Sequence, residues 1–205
     1  MPSSQSDWDA KYRLATDAPA EPASIVRELL PLLPRGPALD LAGGAGRHAM
    51  LLASRGQHLT VVDWSRVALE ILEVRGQTAQ VPVRHASSID VRQRKVYSGI
   101  DLLQADLERI QLPEESFELV LCIQYLQRSL FPQISRALRP GGVLLFETFT
   151  RAQLEFAGGP RNPEHLLEIG ELRIAFPELR VLFYRELRAG QGIASLLAQK
   201  PEKRQ

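Results

Sequence analysis

Apolar positions in this chain repeat with a period that alternates between strand and helix. Ile25, Val26, Leu29, Leu30 and Leu33 recur at helical spacing, and Pro31 and Pro34 close that segment because proline lacks the amide a helix interior uses. Ala38 to Leu41 is a short apolar run that ends in a glycine cluster, and Ala49, Met50, Leu52 and Ala53 then predict a helix closed by Gly56. His58 to Asp63 repeats the strand pattern, and Val67, Leu69, Ile71, Leu72 and Val74 predict the next helix, ending before Gly76. A βαβ unit is therefore complete by mid-chain. Ile100 to Gln104 predicts the third strand, and Phe117 to Ile123 is a continuous apolar run suited to a parallel strand buried on both faces. Leu126, Leu130, Ile134 and Leu138 predict a helix that stops at Arg139-Pro140-Gly141-Gly142, and Val143 to Phe149 is the fifth strand. Leu179 to Tyr184 and Ile193 to Leu197, separated by Gly190 and Gly192, predict a terminal antiparallel hairpin.

This rhythm predicts an α/β fold, a Rossmann-like three-layer sandwich around a mostly parallel sheet. At 205 residues the chain fits one domain, divided into a helical cap over 1–34 and a core over 35–205. The 44% hydrophobic and 24% charged residues are those of an ordinary globular chain, and no apolar stretch approaches the ~20 residues that span a bilayer. The start of the sequence lacks the apolar run of a secretory signal, and the single Cys122 cannot form an internal disulfide, so a cytoplasmic location is expected. The 25 basic residues against 24 acidic ones leave a net charge of +1, which argues against a dedicated nucleic-acid binder. One segment departs from that average: residues 77–99 are long for a connection and carry Arg84, Arg92, Arg94 and Lys95 against Asp90 alone.

The candidate chemistry gathers at strand ends. In Asp40-Leu41-Ala42-Gly43-Gly44-Ala45-Gly46 the glycines permit positive φ and close approach of a ligand, and the helix that follows offers free amides to an anion. Gly44-Ala45-Gly46-Arg47-His48-Ala49 also satisfies the dinucleotide fingerprint, so a nicotinamide-dependent oxidoreductase is an open alternative. Asp40 beside that turn would repel a pyrophosphate but favour a ligand carrying an ammonium or sulfonium. Asp63 is placed to accept from ribose hydroxyls in either case, and Asp106 to accept from an adenine amino group. Against these stand plainer roles: Asp63 as a helix cap near Ser65 and Asp106 as a turn former. His48 reads as a packing or solvent residue, Cys122 as a buried structural thiol, and the scattered histidines have no metal-ligand spacing.

The runs Ala38 to His48, Val61-Val62-Asp63-Trp64-Ser65, Gln104-Ala105-Asp106-Leu107 and Leu138-Arg139-Pro140-Gly141-Gly142, in that order, resemble the class I S-adenosylmethionine-dependent methyltransferases. Ala42 departs from that pattern, where glycine is usual, as does Gly43, where cysteine is frequent. Trp8-Asp9-Ala10-Lys11-Tyr12-Arg13, the stretch from Gln124 to Pro132, and Gly158-Gly159-Pro160-Arg161-Asn162-Pro163 are similar to the small bacterial methyltransferases grouped with tellurite-resistance proteins. The resemblance implies a seven-stranded sheet with an antiparallel last strand. It also implies S-adenosylmethionine as cofactor, held at Ala42, Gly44, Gly46, Asp63, Trp64, Asp106, Leu107 and the backbone near Cys122 and Ile123, with Asp40 beside the turn.

Methyl transfer from a sulfonium is an in-line displacement that asks the enzyme to align a nucleophile and exclude water, so no conspicuous dyad is required. Tyr125 and Phe149 are candidates to face the cationic methyl donor, with packing as their plainer role. Trp8, Tyr12 and Arg13 are candidates for a lid and, with Arg161 and Asn162, for acceptor contacts; His165 lies in the same late loop. The expected partner is a small-molecule methyl acceptor, the alternative being RNA methylation or binding through the basic 77–99 segment.

Overall fold

The computed structural model describes residues 4–14, 20–89 and 98–202. Eight strands form one sheet: β1 (Ala38–Leu41), β2 (His58–Asp63), β3 (Val83–His85), β4 (Gly99–Gln104), β5 (Phe117–Ile123), β6 (Leu138–Phe149), β7 (Arg180–Arg188) and β8 (Gly192–Gln199). Their order is β3-β4-β2-β1-β5-β6-β8-β7. β1 to β6 are mutually parallel, and β8 lies antiparallel between β6 and β7. The hairpin expected at the end of the sequence is thus the antiparallel margin of the sheet.

Strand parity divides the core in two. Leu39, Leu41, Val62, Val120, Cys122, Leu144 and Phe146 point to one face, which is covered by α5 (Phe131–Ala137) and α6 (Glu171–Ile174). Leu59, Val61, Leu119, Leu121, Ile123, Val143 and Leu145 point to the other, covered by α2 (Ser24–Leu29), α3 (Arg47–Ala53) and α4 (Arg66–Thr78). Burial on both faces is why the central strands read as unbroken apolar runs. A further helix, α1 (Gln5–Leu14), lies outside this layer against α4.

The sheet has eight strands where seven were expected, because Val83–His85 adds a parallel edge strand beside β4. At three residues it is too short and too polar to carry a periodic signal. Residues 77–99 are therefore not one long connection: α4 runs through Gly76 to Thr78, and β3 follows. A side chain at Gly76 would sit 2.2 Å from Val83, so the glycine permits α4 to approach β3 rather than ending the helix. Asp90, Arg92, Arg94 and Lys95 lie outside the described residues. The helix expected over Leu126 to Leu138 is shortened to α5 behind a 3-10 turn at Arg128–Leu130, and the Arg139–Gly142 stretch joins β6 as an irregular start.

Candidate functional site

The parallel strands end together at the tips of β1, β2, β4, β5 and β6, and a tight turn follows β1. Gly44 and Gly46 have φ of +55° and +74° there, and Ala42 is held at +53°. That value is costly for a residue with a Cβ, so the alanine at a position where glycine is usual is under strain. Arg75 of α4 donates to the carbonyl of Ala45 at 2.8 Å and steadies the turn from the helix layer.

Asp63 pins the turn directly. One carboxylate oxygen accepts from the amide of Gly44 at 2.8 Å and the other from the amide of Ser65 at 2.8 Å. Burial raises its pKa against the pull of those amides. Ser65, not Asp63, caps α4, its hydroxyl accepting from the amide of Ala68. Asp63 therefore serves first as a brace between strand tip and glycine turn, and both of its oxygens are engaged.

Asp40 lies beneath the turn at 1% exposure, its Oδ2 without a hydrogen-bond partner. Burial lifts its pKa to about 7, Arg47 opposing and Asp63 adding to the rise. His48 faces it from α3, with Nδ1 3.9 Å from that oxygen. Burial and the neighbouring Arg47 hold this imidazole neutral, its pKa brought down to about 3. Of the two readings the sequence left for His48, the structure supports packing: the ring is buried, beside Asp40.

Arg47, the first residue of α3, bridges the turn to β5 by donating to Oε1 of Gln124 at 2.9 Å. Gln124 itself has φ of +60°, and its amide donates to the carbonyl of Glu147 at 2.6 Å. The Glu147 side chain is buried, accepts from the Ser195 hydroxyl at 2.5 Å and feels Arg185 and Arg47, while burial raises its pKa. Sequence reasoning passed over Arg47, Gln124 and Glu147. A lone acid inside the apolar run Val143 to Phe149 was the available signal for the last.

The N-terminal helix reaches this site. Tyr12 places its hydroxyl over Gly44, where an added Cβ would come within 2.3 Å of it, and burial raises the phenol's pKa. Asp9 anchors the helix, accepting from the Ser65 hydroxyl at 2.6 Å and the Val67 amide at 3.2 Å. Although burial pushes Asp9 upward, these bonds bring its pKa below the usual value. Trp8 lies 6.4 Å from Tyr12 between ring centroids, with the Lys11 ammonium over its ring. Arg13 is exposed.

The remaining candidates occupy plainer positions. Asp106 accepts from the amide of Glu108 and pairs with Arg109, as a turn former does, and Leu107 is buried in the core. Trp64 is half-buried after β2, and Ile123 is buried at the tip of β5. Tyr125 donates to Gln127, burial raising its pKa, and Phe149 is half-buried at the end of β6. Cys122 is buried with a raised pKa and contacts the carbonyl of Tyr125. Arg161 turns inward on its own loop to donate to the carbonyls of Leu154 and Phe156, and Asn162 caps the short turn Pro163–His165. Arg84 is paired with Asp101, which also receives His58, at the far end of the sheet. No group of three His, Cys, Asp or Glu suited to a metal occurs among the described residues, and no described helix is long and apolar enough to cross a membrane.

A methyltransferase-domain model matches residues 39–146, more than half of the chain and all of the segment from the glycine turn to β6. The uncharacterized protein UNK4.09 of Schizosaccharomyces pombe is 27% identical over 89% of this chain, which spans 64% of that relative's length. Among solved structures, an S-adenosylmethionine-dependent methyltransferase from Mesorhizobium loti is 18% identical, with a TM-score of 0.66 over 89% of this chain and 100% of that one. TehB from Haemophilus influenzae is 16% identical, with a TM-score of 0.68 over 94% of this chain and 67% of that one. A protein described with the conversion of a disulfide bond into a thioacetal group during echinomycin biosynthesis has a TM-score of 0.68 at 17% identity, over 98% of this chain and 93% of that one. At these identities the solved structures speak for the fold, and the family match speaks for the chain. The chain belongs to the methyltransferase-domain family and has the fold of the class I S-adenosylmethionine-dependent methyltransferases.

Proposed function

We propose that this protein transfers a methyl group from S-adenosylmethionine to a small-molecule nucleophile in the cytoplasm. The observation that carries the reading is the unpartnered oxygen of Asp40 beneath the Gly43–Gly46 turn. A buried carboxylate oxygen without a partner is expensive, and a cationic ligand would satisfy it. A pyrophosphate at the same turn would bring that oxygen no positive charge, which weighs against a nicotinamide cofactor. The amides opening α3 suit the carboxylate of the same ligand.

S-adenosylmethionine supplies a methyl group on a positively charged sulfur, so its leaving group departs neutral. The residues of this chain then have three tasks. Asp40 and the braced turn orient the donor's amino-acid end; Asp63, Trp64 and the Asp106–Leu107 turn border its nucleoside end. Tyr125 and Phe149 flank the route to the acceptor, and α1, held by Asp9, keeps water from the Gly44 side. The Arg161–Asn162 loop and Trp8–Arg13 bound the acceptor side. Arg84 pairs with Asp101 instead of standing free toward a polyanion, which favours a small acceptor over RNA.

Calorimetric titration with S-adenosylmethionine and with its demethylated product tests the reading. Micromolar binding of both is the expected result, and no heat or thermal shift with either overturns it.

A further inference from the structure

Three buried polar atoms without partners converge under the glycine turn. They are Oδ2 of Asp40 and both ring nitrogens of His48, on side chains almost wholly removed from solvent. Buried polar atoms are rarely left unsatisfied, so three in one place call for a chemical explanation. Oδ2 and Nδ1 are 3.9 Å apart. That is roughly 1 Å beyond a hydrogen bond, a gap that a small side-chain rotation closes once one of the two carries a proton for the other.

We propose that Asp40 and His48 form a neutral, proton-sharing pair in the cofactor-free protein, and that binding S-adenosylmethionine ionises Asp40 and releases its proton to water. This rests on the cofactor reading above. His48 is then a positioning residue: as a neutral acceptor it holds the carboxyl group toward α3 until a cation arrives. In the step, the carboxyl O–H bond breaks, its electron pair stays on Asp40 and the proton passes to solvent.

The surroundings favour that sequence of events. Asp63 from β2 adds a negative charge near Asp40, and Arg47 from α3 adds a positive one that it shares with Glu147 of β6. Tyr12 of α1 lies near the same carboxyl and Cys122, on the opposite face of β5, feels its charge; burial keeps both protonated. Arg47 is thus divided between Asp40 and Glu147, which Arg185 also faces, while Asp63 repels Asp40, and a protonated Asp40 relieves that repulsion. Its raised pKa, about 7, agrees with a group near its balance point, while His48 is too buried to take up the charge itself. A bound cation restores the balance and drives the carboxyl group to its charged form.

The test is calorimetric titration of S-adenosylmethionine in buffers of different ionisation enthalpy at about pH 6 and about pH 8. Close to one proton should leave the wild-type protein at the lower pH and markedly fewer at the higher. The apparent affinity should rise almost tenfold between about pH 5 and 6, as release of one proton requires. Asp40→Asn, nearly isosteric, should bind more weakly and lose the release at low pH. His48→Asn, whose amide can donate to an ionised carboxylate, should move the midpoint of release to lower pH. Binding without proton release in the wild type, or unchanged release in Asp40→Asn, overturns this inference alone; no binding at all overturns the cofactor reading with it.

Discussion

Asp9 and Ser65, which lie 56 positions apart in the chain, are joined by a hydrogen bond of 2.6 Å that fastens α1 to the start of α4. The same carboxylate accepts from the amide of Val67, so one side chain ties the helix carrying Tyr12 to the strand tip that braces Gly44. Replacing Asp9 with alanine should loosen α1 by about 1–3 kcal/mol, the range for a buried bond to a charged group. Hydrogen exchange should accelerate in residues 5–14 while the central strands keep their protection. Equal protection of α1 in the variant and wild type would refute the anchor.

The glycine turn makes opposite predictions at two neighbouring positions. Ala42, at φ of +53°, should be relieved by glycine, and Ala42→Gly should stabilise the protein by up to about 1 kcal/mol after the entropy of the new glycine is set against the strain. Gly46→Ala should do the reverse, because φ is +74° and the new methyl would stand 2.2 Å from Leu72 of α4. Loss there should reach about 2 kcal/mol or more, since strain and overpacking add. Urea denaturation of the two variants reads both signs.

Asp101 gives an acid-stability prediction. Burial raises its pKa, but hydrogen bonds from His58 and Arg84 outweigh this and bring it down to about 2. The folded value is below the unfolded one, so the contribution is fully present above about pH 4 and is lost as pH falls towards 2. Asp101→Asn should remove on the order of 1–2 kcal/mol at neutral pH, a figure discounted for the partly exposed Arg84, and should flatten the stability profile in that acid window. A profile as steep as that of the wild type would exclude Asp101 as its source.

Cys122 should be inert in the folded protein. It is 1% exposed, and burial with Asp40 nearby raises its thiol pKa. The thiolate is the reactive form, so a thiol reagent should label Cys122 only at the rate of unfolding, and Cys122→Ala should retain cofactor binding. Rapid labelling under native conditions would contradict this.

What could be read from the sequence follows what a periodic pattern is able to carry. β1, β2, β5 and β6 are buried on both faces, and their apolar runs announce them; the β7–β8 hairpin is announced by Gly190 and Gly192. Val83–His85 was invisible because its place in the sheet comes from pairing with β4 and from the space that Gly76 leaves. At the site, the positions of Asp40 and Asp63 at strand tips were legible, but the partners of Asp63 were not. Its bond from the Ser65 amide is local, but the one from Gly44 depends on how the turn folds back across 19 residues. For His48 the sequence left packing and solvent both open for a related reason: helical spacing places it on α3, but only the docking of that helix buries it beside Asp40.

Strand parity limits how this sheet can vary. Asp40, Asp63 and Glu147 belong to the side covered by α2, α3 and α4, whereas their neighbours Leu41, Val62 and Phe146 belong to the other. A slip of one residue in a strand would therefore exchange a site carboxylate for a core side chain. The pairing of β5 with β6 shifts register between Phe117 and Leu119, at the end remote from the site, and then runs unbroken from Leu119 to Ile123. Insertions near Arg139–Gly142 can thus be absorbed in that irregular stretch, whereas an insertion between Val143 and Glu147 would carry the acid out of the site with it.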